Sequence, residues 1–150
     1  MSNPLYVINV EAAIYREDKY LIIRRSEKEE HAPGVLSLVG GKVEEKIAEN
    51  NVLENSLKRE ILEEVGIEVS NAFHYIESNS FVSDKGYMVV NIGFLCKYES
   101  GEPKCVSKDE VSEVHWMSYD EILSNPKAPS WLKASLKKAE SVRLRVEKTI

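Results

Sequence analysis

Polar and apolar residues alternate from the start of the chain. Val7, Asn9 and Glu11 interleave with Ile8, Val10 and Ala12, and Ala13-Ile14-Tyr15 extends the run. Alternation with a period of two predicts a half-buried strand. Glu17-Asp18-Lys19 reads as a hairpin turn and Tyr20-Leu21-Ile22-Ile23 as the returning strand. A charged loop from Ser26 to Gly34 closes on Pro33-Gly34. Val35 to Val39 predicts a short apolar strand ending at Gly40-Gly41. Phe73 to Phe81 and Tyr87 to Tyr98 predict two more strands around a turn at Ser83-Asp84-Lys85-Gly86. Val111 to Met117 reads as a further strand and Tyr119 to Leu123 as a short helix. Ser130 is placed to cap a last helix with the apolar stripe Trp131, Leu132, Leu136, Ala139, Val142 and Val146.

Between Gly41 and Phe73 the period changes. Leu53, Leu57, Ile61 and Val65 recur every four residues, the stripe of an amphipathic helix. Asn51 is placed to cap it, with Glu54 three residues on completing a pair like a capping box. Gly66 suits the left-handed position just past the end, and Ile67 is expected to fold back on Leu62. At about 100° per residue, Glu60, Glu63 and Glu64 span roughly a 100° arc beside the stripe. Like charges three and four residues apart repel by about 0.2–0.5 kcal/mol per pair. Acids in the last turn also face the negative end of the helix dipole. Arg59, four residues before Glu63, offsets part of this. A divalent cation would turn the repulsion into coordination, and carboxylates are hard oxygen donors suited to magnesium or manganese. The alternative is a solvated acidic face.

Strands and helices mix, and hairpins suggest antiparallel or mixed pairing, so the class is α+β. The chain has 150 residues, which is read as one domain with a core of its own. It is 43% hydrophobic and 30% charged, ordinary values for a globular protein, with net charge −5. That charge argues against a nucleic-acid polymer as main partner. Cys96 and Cys105 make neither a zinc spacing nor a disulfide framework, which fits a reducing cytoplasm. His31, His74 and His115 are scattered along the chain. No apolar run reaches membrane length, and Met1-Ser2-Asn3-Pro4 shows no signal peptide. Lys133, Lys137, Lys138, Arg143, Arg145 and Lys148 lie opposite the apolar stripe of the last helix. That helix is expected to dock on the core or in a homodimer, in preference to a membrane.

Gly41 followed by Arg59-Glu60-Ile61-Leu62-Glu63-Glu64-Val65-Gly66-Ile67 resembles the box of the Nudix hydrolase superfamily, which includes MutT-like proteins. That box is written G-x5-E-x7-R-E-U-x-E-E-x-G-U, with U aliphatic, and its second half matches at every specified position. Looser likeness runs through Ile23-Arg24-Arg25, the double glycine, and Asp109-Glu110-Val111-Ser112-Glu113-Val114-His115-Trp116. The first half departs from the pattern. Arg59 stands 18 residues after Gly41, four more than the pattern allows, and the position of the first glutamate falls on Ile47. Glu44, Glu45 and Glu49 are the candidates to replace it.

The resemblance implies an α/β/α sandwich with a mixed sheet between helices. It implies that Glu60, Glu63 and Glu64 hold Mg2+ or Mn2+, with the Gly41 region adding a backbone carbonyl, and that Arg59 orients a neighbouring carboxylate. Glu60 is also a candidate, in place of that ligand role, for the base that deprotonates water, with Glu110 and Glu113 as reserves from a loop outside the box. Arg24, Arg25 and Lys42 are candidates to meet substrate phosphates, and Tyr6 and Phe81 to stack on a base. The implied activity is hydrolysis of the diphosphate linkage in a small nucleotide, a nucleoside diphosphate joined to another group. Two rivals stand beside it. One is a nucleotide-sensing module without turnover, which has no need of three intact glutamates. The other is isoprenoid diphosphate isomerisation, which employs a cysteine near the active centre, whereas Cys96 and Cys105 are far from the box in sequence.

Overall fold

The computed structural model describes residues 3–148. Met1 and Ser2, part of the stretch read for a signal peptide, lie outside them. β1 (Val7–Arg16) and β2 (Lys19–Arg25) form the expected hairpin, with Tyr15 opposite Tyr20. Beyond that end they part. On the edge of β1 facing β2, β4 (Val39–Lys42) pairs with Asn9 to Ala12; on the facing edge of β2, β3 (Leu36–Ser37) pairs with Ile23 and Arg24. The single strand expected over Val35–Val39 is therefore two, broken at Leu38 where the chain steps from one neighbour to the other. Its second piece carries both glycines.

The other edge of β1 runs parallel to β6 (Met88–Ser100), which pairs antiparallel with β5 (Glu68–Val82). The other edge of β2 pairs with β7 (Val111–Ser118). Parallel and antiparallel ladders share one seven-stranded sheet, as the mixed-sheet expectation required. β5 begins five residues before Phe73, because Glu68 and Val69 already pair with Ser100 and Tyr98.

Strand alternation sends side chains to two cores. Val10, Ala12, Ile14, Leu21, Ile23, Val39, Phe94 and Cys96 meet Leu57, Ile61 and Val65 of α1 (Val52–Val65). Ala13, Tyr15, Tyr20, Ile22, Leu38 and Leu95 meet Ile122 of α2 (Tyr119–Ser124) and Leu132, Leu136, Ala139 and Val142 of α3 (Ser130–Glu147). Each buried aliphatic side chain contributes about 1.5–3 kcal/mol. The result is a helix–sheet–helix sandwich.

Local details correct four expectations. Asn51 does not cap α1 through its side chain; its backbone is left-handed at φ 57°, and its carbonyl accepts from Asn55 N. Asparagine tolerates that conformation better than other non-glycine residues. Ser130 is the first helical residue of α3, with Pro129 before it, so it forms no side-chain cap. Trp131 stands 48% exposed beside the stripe rather than in it. Ile67 enters the core while Leu62 stays half exposed. The left-handed Gly66 ends α1 as expected, its N–H reaching Ile61 O and Leu62 O. α2 has a capping box that went unread in the sequence, Ser118 with Glu121.

Candidate active site

Glu60 and Glu64 lie one turn apart on α1, at the edge of its apolar stripe. Both carboxylates turn inward, at 8% and 6% exposure. Glu110, in the turn just before β7, brings a third. Ligating oxygens of the three lie within 4.8 Å of one another. Backbone bonds hold this turn in place. Val106 N donates to Glu64 O and Lys104 N to Val65 O, so the loop satisfies carbonyls that the helix end leaves open. Glu110 N donates to Ser107 O, and Glu110 O accepts from Ser26 N, tying the turn to the end of β2.

Negative charges at this spacing repel one another. Burial pushes Glu64 up to about 9, aided by its hydrogen bond with Glu110 and the charges of Glu60 and Glu110; Arg25 opposes. Burial also pushes Glu60 up to about 7, against the pull of Arg59. Glu64 Oε2 is buried and has no hydrogen-bond partner among the described residues. A buried acceptor left unmade costs about 1–3 kcal/mol. An orphaned oxygen, a hard all-oxygen donor set and two raised carboxyls fit a divalent cation.

Glu63 is not part of the cluster. Its side chain is 58% exposed, and Arg59 holds it at 3.2 Å. The i, i+4 pairing takes it to the solvent side of α1. Arg59 Nη1 also donates to Glu60 Oε1 at 3.1 Å, and both Nε and Nη2 donate to Glu45 Oε1 at 3.2 Å. Of the three candidates for the missing glutamate, Glu45 is therefore the one that grips Arg59. Glu49 instead accepts from Asn55. The longer connection before α1 thus still delivers an acid to Arg59.

The glycines make room. A Cβ on Gly41 would fall 2.4 Å from Glu60 Cδ, so only glycine leaves space for that carboxylate. A Cβ on Gly40 would fall 2.2 Å from Val10 O. Lys42 ends β4 on the surface, and its carbonyl accepts from Arg59 Nη2. Arg25 is anchored to His31 O and Glu29, and its charge acts on Glu64. Arg24 points elsewhere, bound to Glu113 at 2.8 Å and Glu27 at 3.1 Å. Glu113 also meets His115, and hydrogen bonds from Arg24 and His115 hold its carboxyl below the usual range. The structure thus divides the reserve pair: Glu110 joins the cluster and Glu113 belongs to a surface ion pair.

The family model for the NUDIX domain matches residues 5–138. Among curated proteins, the NAD-capped RNA hydrolase NudC of Escherichia coli O1:K1 / APEC is 32% identical over 110 residues, 73% of this chain and 38% of that protein. NudC of Salmonella heidelberg (strain SL476) is 33% identical over the same coverage. The chain thus spans 38% of the length of these relatives. Among solved structures, the MutT NUDIX hydrolase from Burkholderia pseudomallei superposes with TM-score 0.73 at 27% identity, covering 89% of this chain and 98% of that one. The MutT protein from Methanosarcina mazei Go1 gives 0.74 at 25% identity, covering 95% and 99%.

Proposed function

The chain belongs to the NUDIX domain family, and from that premise we propose that residues 1–150 act as one catalytic domain that hydrolyses the diphosphate linkage of a nucleoside diphosphate joined to another group. The observation that carries this reading is the convergence of Glu60, Glu64 and Glu110 around an oxygen with no partner. These three residues would hold Mg2+ or Mn2+. When bound, the cation neutralises phosphate oxygens and makes water a stronger acid.

The chain's own groups do the rest. Arg59, gripped by Glu45, fixes the Glu60 carboxylate. Glu110 is the exposed member of the cluster; one of its oxygens is a cation ligand and the other accepts the proton of an attacking water. A positioned base contributes typically a hundred- to ten-thousand-fold. Water adds to phosphorus, the bridging P–O bond breaks, and the leaving phosphate departs with the bond's electron pair. Arg25 and the surface Lys42 meet the substrate's phosphates. Arg24 is held by Glu113 and Glu27 and supports the loop instead. The substrate is a small molecule, consistent with net charge −5. Two free cysteines fit a cytoplasmic setting, and no helix among the described residues is long and apolar enough to cross a membrane.

The test is a substrate panel with magnesium, manganese or chelator: nucleoside triphosphates, ADP-ribose, NAD, dinucleoside polyphosphates, nucleotide sugars and NAD-capped RNA. The expected result is metal-dependent release of a nucleoside monophosphate from at least one small molecule, lost in Glu64→Gln and Glu110→Gln. Cleavage of the capped RNA alone would overturn the small-molecule assignment. Tight binding without turnover across the panel would establish a sensor instead.

A further inference from the structure

On the sheet face opposite α1, the core under α3 reaches Ala13 and Leu95 and stops there. Beyond it, register lines up three adjacent strands in rows. Glu11, Gly93 and Glu77 form one row, Asn9, Asn91 and Asn79 the next, and Val7, Val89 and Phe81 the last. An irregularity between Tyr75 and Glu77 makes this possible. Ile76 already faces α3, so simple alternation would turn Glu77 away. The extra residue keeps Glu77, Asn79 and Phe81 on the α3 side, as bulges re-aim the side chains that follow them.

The middle row is a hydrogen-bonded ladder. Asn9 Nδ2 donates to Asn91 Oδ1 at 2.7 Å, and Asn91 Nδ2 donates to Asn79 Oδ1 at 3.3 Å. Asn91 is buried and also hydrogen-bonds the Glu11 carboxylate. In the acidic row, Gly93 puts no side chain between the two glutamates. Glu77 is compensated by Lys138 at 3.2 Å and Ser135 at 2.9 Å from α3. Glu11 has no cation paired with it among the described residues. Burial holds its carboxyl above the usual range, Asn91 opposes and the charge of Glu77 adds to it. Asn91 is thus the N–H donor that meets Glu11, no cation does so among the described residues, and the outer end of the face is closed by His31 stacked on Phe81 with ring planes 12° apart.

The face adjoins the carboxylate cluster. Glu11 stands opposite Gly40 and Val10 opposite Gly41, and Gly41 lies against Glu60. Two residues without side chains separate the two sides of the sheet there. The polar rows and the carboxylate cluster are therefore neighbours across the Gly40-Gly41 strand.

Resting on the hydrolase reading, we propose that Glu11 and the Asn9-Asn91-Asn79 ladder form the base subsite of the same active site, and that it selects nucleobases bearing an exocyclic amino group. The amino group donates to Glu11, and the amides read the neighbouring ring nitrogen or carbonyl. A base without the amino group leaves Glu11 unmatched in a partly buried place. Sites built to hydrogen-bond a ligand N–H discriminate strongly against analogues that lack it.

Calorimetric titration of the full chain with matched monophosphates tests this: CMP against UMP, AMP against IMP, and GMP against IMP, each with magnesium and with chelator. The amino-bearing member of at least one pair is expected to bind on the order of 10- to 100-fold tighter. Glu11→Ala and Asn91→Ala, checked for native melting, are expected to bring that member down to its partner's affinity. Equal affinities within every pair, no binding at all, or discrimination that survives both substitutions would overturn the proposal. Because the readout is binding, discrimination in a protein that hydrolyses nothing would sink the hydrolase reading and keep this one.

Discussion

At the scale of single residues, Glu64 is the most instructive. Its carboxyl is held near 9 chiefly by burial, and that of Glu60 near 7, both far above 4.5. Folding therefore keeps protons that the unfolded chain releases once the pH passes about 4.5. The stability these groups lend is full below that pH and drains away as pH rises through about 7 and then about 9. Metal-free wild type should melt progressively lower from pH 5 to pH 9. Glu64→Gln removes the larger part of that slope and should match wild type near pH 5. Near pH 9 in chelator it should melt roughly 2–8 °C higher, the shift that about 1–2 kcal/mol produces in a domain of this size. Melting curves against pH in chelator decide it. A mutant that melts well below wild type at pH 9 would show that an ionised Glu64 has a structural partner.

Among the elements, α1 does most of the positioning, and its two ends differ. Its C-terminus follows the glycine logic of the sequence. Its N-terminus does not, because Asn51 contributes a left-handed backbone and no side-chain cap. Asn51→Gly should therefore leave the melting temperature unchanged or raise it, since glycine carries no penalty at φ 57°. Asn51→Ser, the better residue had a side-chain cap been present, should cost about 1 kcal/mol. Thermal melts of the two variants in one buffer give the order. The opposite ranking would restore the capping role. The same element shows why an enlarged connection is tolerated. The clamp on Arg59 comes from Glu45 on the connection itself, so the longer loop still delivers an acid to the arginine.

At the scale of the molecule, the sandwich brings the cluster together from distant stretches of chain. α1 supplies two carboxylates, the turn before β7 supplies the third, and the Gly40-Gly41 strand leaves space for one of them. None of this is favourable without a cation, so loading should stabilise the whole fold by mass action, about 2.7 kcal/mol at a hundred times Kd. In millimolar magnesium at pH 8, wild type should melt above its chelator value. Glu64→Gln and Glu110→Gln should gain much less, and Glu63→Gln should gain nearly as much as wild type. Equal gains in all four proteins would place the cation elsewhere.

The sequence by itself determined the elements, the class and the family. Periods of two and about four along a chain reflect which side of a strand or helix is buried, and that is local information. The run Arg59 to Ile67 carries the helix, its glycine stop and two of the three clustered carboxylates within nine residues. Only the tertiary structure decided which acids meet. Glu63 and Glu64 are neighbours in sequence, yet a 100° step sends one to Arg59 in solvent and the other inward. Glu110 and Glu113 looked equivalent, and the pairing of β7 with β2 separated them, giving Glu113 to Arg24. Glu45, Glu44 and Glu49 were indistinguishable until a loop conformation put one within reach of Arg59. The polar rows beside Gly93 depend on a one-residue irregularity in β5 that no periodicity announces. Such choices rest on register between segments far apart in the chain, and a shift of one residue there moves every following side chain to the other face.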